Sequence, residues 1–155
     1  MLIITMVKEL VIITVNAQIP HSKLSNRKTL KLFIQKLFKQ EKTNLEQLDY
    51  IFCTDEFLLQ MNQQYLKHNY FTDIITFNLS ENTNTIVGEV YISIDRVKEN
   101  AIQFNTSYVQ ELHRVLFHGA LHLCGYKDKS KKDQVLMRQK ENFYLHQYFM
   151  LHTTL

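Results

Sequence analysis

The sequence predicts an α+β domain: a small mixed sheet containing an antiparallel hairpin, packed with about five helices. Three observations predict it. Short β-branched runs of strand length alternate with longer segments of helical periodicity. Two strand-like runs, Asp73–Leu79 and Ile86–Ile94, flank a polar ENTNT cluster, which reads as a hairpin turn. After the second run, the chain carries helical patterns almost to its end. The 155 residues fit one domain spanning 1–155, and a hydrophobic fraction of 45% supplies a core. Only 3 Gly and 1 Pro occur, which excludes collagen-like and low-complexity chains.

The N-terminal stretch MLIITMVKELVIITVNAQIP contains two β-branched runs, LIITMV and LVIITV, and reads as two strands or one bent strand. Lys8 and Glu9 divide it and no basic leader precedes it, so a signal peptide is not expected. No apolar run approaches the ~18 residues of a membrane span. A cytoplasmic protein without a membrane partner is the expectation. Next, Leu30, Phe33, Ile34, Leu37 and Phe38 recur at helical spacing, with Lys28, Lys31, Lys36 and Lys39 between them. Those lysines read first as a solvated face and second as a surface for a polyanion.

Leu48–Cys53 reads as a strand. Thr54 then caps a helix whose first turn holds Asp55 and Glu56, where carboxylates suit the helix dipole. That helix continues through Leu58, Met61 and Tyr65. After the hairpin, residues 95–104 form a helix. Ser107 opens the next, with Gln110 placed for a capping box and Val109, Leu112, Val115, Leu116, Ala120 and Leu123 turned inward. Gly125 stands where a left-handed residue ends a helix. The loop YKDKS leads to a last helix, capped by Ser130 and running to about Tyr148. Its aromatics Phe143, Tyr144, Tyr148 and Phe149 read as core before partner surface.

The net charge is +3 and the pI about 8.8, which permits a polyanionic partner without requiring one. Two cysteines, Cys53 and Cys124, do not make a secreted disulfide framework and read as reduced thiols.

The chemistry concentrates in FHGALHLCGYKD, residues 117–128. His118 and His122, four apart, lie on one helical face and can share an ion. A catalytic zinc keeps three protein ligands and leaves a position for water. The helix stops at Gly125 and the returning loop brings Asp128 as the third ligand. Cys124 lies about 200° around the helix from His122 and points away. Asp133 reads as part of the last helix's start, and His113, His146 and His152 are not expected at the ion. Position 119 is Gly, so the H-E-x-x-H glutamate of zinc peptidases is absent.

Residues His118, Gly119, Leu121, His122, Leu123, Gly125 and Tyr126 match the signature H-G-x-L-H-L-x-G-Y-D-H, and the chain resembles the YbeY family of metal-dependent endoribonucleases. Three more segments resemble the family's N-x-x-Y, T-D-V-L-S-F and G-D-I-x-I-S motifs in the same order: residues 62–65, 72–77 and 88–93. Glu111 falls where the family often has Glu before the first ligand. The resemblance covers roughly residues 50–140. It departs at two positions. The family's third histidine falls on Asp128, which makes the site less positive by one charge and bound water less acidic. The family's arginine after N-x-x-Y falls on Leu66, leaving Lys67, His68 or Arg114 as replacement cations.

The resemblance implies a single-strand-specific, zinc-dependent endoribonuclease, with one zinc ion held by His118, His122 and Asp128. It implies work in late ribosomal RNA maturation and ribosome quality control, with ribosomal RNA as substrate, ribosomal proteins as partners and no role for DNA. The substrate strand is expected in a groove between the metal-site helix and the sheet. Two other readings stand beside it: a non-catalytic ribosome-assembly factor with a structural zinc, and a zinc-dependent peptide hydrolase.

Overall fold

A computed structural model of the chain describes residues 9–15 and 24–152. The elements in chain order are β1 (Val11–Val15), α1 (Arg27–Gln40), β2 (Leu45–Cys53), α2 (Asp55–Leu66), β3 (Ile74–Asn78), β4 (Ile86–Ser93), α3 (Ile94–Gln103), α4 (Tyr108–Leu123) and α5 (Lys131–His152). The sheet order is β1-β2-β4-β3. β1 and β4 flank β2 in parallel, and β3 pairs antiparallel with β4, Ile75 opposite Tyr91. The expected architecture is therefore the observed one: a mixed sheet, an antiparallel hairpin and five helices. No helix is long and apolar enough to cross a membrane among the described residues. The LIITMV run lies outside them.

Boundaries differ in instructive places. β2 begins at Leu45, three residues before the apolar run, because Leu45 and Gln47 already pair with Ile86 and Val87. β4 ends at Ser93, whose hydroxyl accepts from the Arg96 backbone N–H and so caps α3. The last strand residue thus starts the helix, and Ile94 is helical. Ser107 caps α4 as expected, yet the reciprocal half of the box is missing: the Gln110 side chain accepts from the Thr106 hydroxyl instead. α5 runs past Tyr148 to His152. Val109 is 44% exposed rather than inward.

The main core lies between one sheet face and α1, α4 and α5. Leu48, Tyr50 and Phe52 of β2 and Val90 and Ile92 of β4 meet Phe33, Leu37, Leu116, Phe117 and Tyr144 there, all buried. The Tyr50 hydroxyl donates to the Leu116 carbonyl at 2.7 Å, fixing α4 over the central strand. Two glycines set how closely α4 approaches β4. A Cβ on Gly119 would stand 2.8 Å from Val90 Cγ1, and one on Gly88 2.6 Å from Leu123 Cδ1. Both approaches are closer than any larger residue permits without movement of the core. The helix bearing both histidines is thereby pressed onto the sheet. On α5, Tyr144 and Tyr148 are core while Phe143 is half exposed and Phe149 partly buried.

Glu41, at the end of α1, joins three parts of the chain. Its carboxylate accepts from the Tyr126 hydroxyl at 2.7 Å, from the Tyr144 hydroxyl, and from Lys140 Nζ at 2.9 Å. Burial pushes the Glu41 pKa up, but the two phenols and Lys140 together outweigh it and hold the carboxyl below its usual range. A depressed folded pKa stabilises the protein above the unfolded value, and that stabilisation is lost as pH falls through the folded pKa. Glu41→Gln is expected to cost about 2 kcal/mol at neutral pH, the scale of a charge-assisted hydrogen bond. Its urea unfolding midpoint should also fall less steeply below about pH 4.3, the unfolded carboxyl pKa.

Candidate metal centre

The end of α4 builds the site. The Tyr126 N–H reaches the Leu121 carbonyl at 3.1 Å and the Gly125 N–H reaches the His122 carbonyl at 3.0 Å. These two bonds are the Schellman pair that closes a helix on a left-handed residue, and Gly125 has φ 101°. The chain reverses there and brings Asp128 back beside the helix.

Each imidazole is oriented through its Nδ1. His122 Nδ1 lies 2.9 Å from the Tyr126 carbonyl oxygen, supplied by the same turn. His118 Nδ1 lies 2.7 Å from Glu141 Oε1 on α5. Both partners only accept, so each Nδ1 carries the proton and each Nε2 presents a lone pair. The two Nε2 atoms are 2.9 Å apart, and Asp128 Oδ2 lies 3.3 Å from that of His118 and 3.2 Å from that of His122. Three lone-pair donors converge on one point, an arrangement that a cation stabilises. Ligands about 2.0–2.1 Å from a tetrahedral zinc stand roughly 3.3 Å apart; the two edges to Asp128 match that separation, and the imidazole edge of 2.9 Å would open slightly around an ion. This is the one cluster of its kind among the described residues.

The other candidates fall elsewhere. Cys124 is not in the cluster, and burial with the nearby Glu41 charge pushes its thiol up to about 12. His113 is enclosed by Tyr148, Phe149 and Phe117, with Nδ1 2.6 Å from the Val109 carbonyl oxygen. His146 is exposed on α5, and the His152 side chain lies outside the described residues. The Asp133 N–H is received by Ser130 Oγ at 3.1 Å, as a helix start requires.

Behind His118 lies a carboxylate-rich network. Arg114 is gripped by Glu111 through Nε at 2.9 Å and Nη2 at 2.6 Å. It also stands 3.3 Å from Glu141 and 3.6 Å from Asp73. Burial opposes the Arg114 charge, but Glu111 and the other carboxylates hold it firmly protonated. Glu141 is 2% exposed. Burial raises its pKa, while the bond to His118 and the charge of Arg114 outweigh that and lower it. Reasoning from sequence did not find Glu141. A signal existed: Met137, Glu141, Tyr144 and Tyr148 form the buried stripe of α5, and a carboxylate in such a stripe needs a partner.

The donor triangle opens into a groove of about 570 Å³ between α4 and β3, one of the two edge strands of the described sheet. Leu66, Asp73, Thr76, Arg114 and Lys129 line it with the ligand residues. Lys67 and His68 do not line it, and His68 instead stacks on Tyr70. Gly119, where a zinc peptidase has its glutamate, faces Val90 and Ile74 in the core. No side chain could act as a base from that position.

Fold and site together define an α+β protein with a groove whose three helix- and loop-borne donors could hold a metal ion. The family model described as endoribonuclease YbeY matches residues 12–149, and the chain belongs to that family. It is 50% identical over 119 residues to the endoribonuclease YbeY of Cytophaga hutchinsonii, spanning 77% of this chain and 83% of that one. The Christiangramia forsetii protein of the same name is 46% identical over 76% of this chain and 82% of its own. The solution structure of TM1509 from Thermotoga maritima superposes with a TM-score of 0.56 at 26% identity, covering 90% of this chain and 89% of that one.

Proposed function

We propose that this protein is a zinc-dependent endoribonuclease acting on single-stranded RNA, ribosomal RNA above all, in ribosomal RNA maturation and ribosome quality control in the cytoplasm. The observation that carries the reading is the convergence of His118 Nε2, His122 Nε2 and Asp128 Oδ2 at the wall of an open groove. The relatives' shared description as endoribonucleases supports the choice of substrate.

His118, His122 and Asp128 hold the ion in this reading. Zinc, when bound, supplies Lewis acidity that polarises a phosphoryl oxygen and acidifies water. Glu141 and the Tyr126 carbonyl keep both imidazoles in the Nδ1–H tautomer and aim their Nε2 atoms inward. A single strand offers this groove an accessible backbone and bases, which an A-form duplex does not. Ribosomal proteins are the natural neighbours of such a substrate.

The test is cleavage of a labelled single-stranded RNA by protein carrying one zinc, beside an equal duplex and a casein digest. Internal cuts in the single strand, abolished by chelation and restored by zinc, are expected. Zinc binding without any cleavage would favour an assembly factor with a structural ion, and casein hydrolysis would favour a peptidase.

A further inference from the structure

The groove has to accept a polyanion, so its charge matters. The network behind His118 sets three carboxylates, Asp73, Glu111 and Glu141, against two guanidinium groups, Arg114 and Arg138. It carries one excess negative charge. Asp128 adds another. A divalent cation on the three donors brings the sum to zero, so the loaded centre is locally neutral rather than positive. The Lys and Arg side chains lining the groove among the described residues are Arg114 and Lys129. The Arg114 side chain is only 13% exposed, and Glu111, Glu141 and Asp73 surround its guanidinium. A phosphate would have to displace a carboxylate to reach it.

Lys129 differs in each respect. It is exposed, lines the groove, follows the third donor Asp128 directly, and forms no ion pair among the described residues. Its neighbours Lys127, Lys131 and Lys132 make four lysines in a run of six residues, which leaves no local carboxylate surplus to compete for it. Its long stem lets the ammonium follow a phosphate over several ångströms.

We infer that Lys129 is the phosphate-binding residue of this groove, holding the phosphate next to the one at the donor triangle and thereby positioning the strand. This rests on the proposed RNA substrate. A residue that binds ground state and transition state alike changes KM more than kcat. A single-strand phosphate contact also contributes about 0.7 to the slope of log affinity against log salt.

The experiment compares parent, Lys129→Ala, Lys129→Arg and, as a control on the distant face of α1, Lys36→Ala, all loaded with zinc. Binding of a single-stranded oligoribonucleotide is measured across a salt series, together with its cleavage and the zinc affinity of each protein. The Ala variant should bind RNA several-fold more weakly, with its salt slope shallower by about 0.7. Its KM should rise with kcat little changed, its zinc affinity should equal the parent's, and the Arg variant should recover RNA binding. An Ala variant indistinguishable from parent, or a Lys36→Ala loss of equal size, overturns the assignment while leaving the endoribonuclease reading intact. Reduced zinc affinity in the Ala variant overturns it in favour of a structural role beside Asp128. A parent that binds no RNA overturns both.

Discussion

Glu141→Ala is expected to weaken zinc binding by about 10–100-fold, the usual effect of removing the hydrogen-bond partner of a ligating histidine. His118 would lose the acceptor that fixes its Nδ1–H tautomer. The same change should lower folding stability without metal by about 2–4 kcal/mol, because a buried charge-assisted bond is lost and a cavity is left. Glu141→Gln separates the two effects. Its side-chain carbonyl can still accept from His118, so zinc affinity should return most of the way. Competition against a chromogenic chelator and urea unfolding of the metal-free proteins read the two quantities. Parent-like zinc affinity in the Ala protein would mean that His118 is held by its own helix packing alone.

Asp128→Ala should lose zinc affinity without losing stability. Asp128 has a side chain 41% exposed, and a loop substitution of that kind changes stability by only about 0.5 kcal/mol. The metal-free protein should therefore melt like the parent. Zinc affinity should fall on the order of a hundredfold: structural sites with four ligands bind with about 10–16 kcal/mol, so one ligand carries roughly 3 kcal/mol. Asp128→His should retain the ion, since an imidazole nitrogen is an equally good ligand. That variant removes one negative charge, and bound water should become more acidic, so the cleavage rate should rise at lower pH than in the parent. Unchanged zinc affinity in the Ala protein would remove Asp128 from the site and direct attention to Asp133 or an exogenous ligand.

The parts legible in the sequence were those encoded by neighbours along the chain. Ser107 and Gly125 bracket α4 because a cap and a left-handed stop are local chemistry, and the ENTNT cluster separates β3 from β4 for the same reason. The histidine spacing and the loop return brought His118, His122 and Asp128 together on paper, and the structure sets the three side chains side by side. Distant partners were not legible. Glu141 reaches His118 only because α5 packs along α4, and Arg114 offered itself as a free cation until Glu111, Asp73 and Glu141 closed around it. The parallel pairing of β2 with β4, three elements later, likewise depends on the assembled sheet. Val109 shows the limit of periodicity. It lies on the same helical side as Leu116, but the pattern says which way a residue points, not how far the neighbouring elements extend to cover it.

Everything proposed for this groove requires that two imidazoles and one carboxylate hold a single metal ion. X-ray absorption at the zinc edge, on protein carrying one equivalent of zinc, tests it most directly. A shell of nitrogen and oxygen at about 2.0–2.1 Å is expected, with the outer scattering of two imidazoles and no sulfur. A sulfur contribution near 2.3 Å, the zinc–thiolate distance, would bring Cys124 or Cys53 into the site and contradict it.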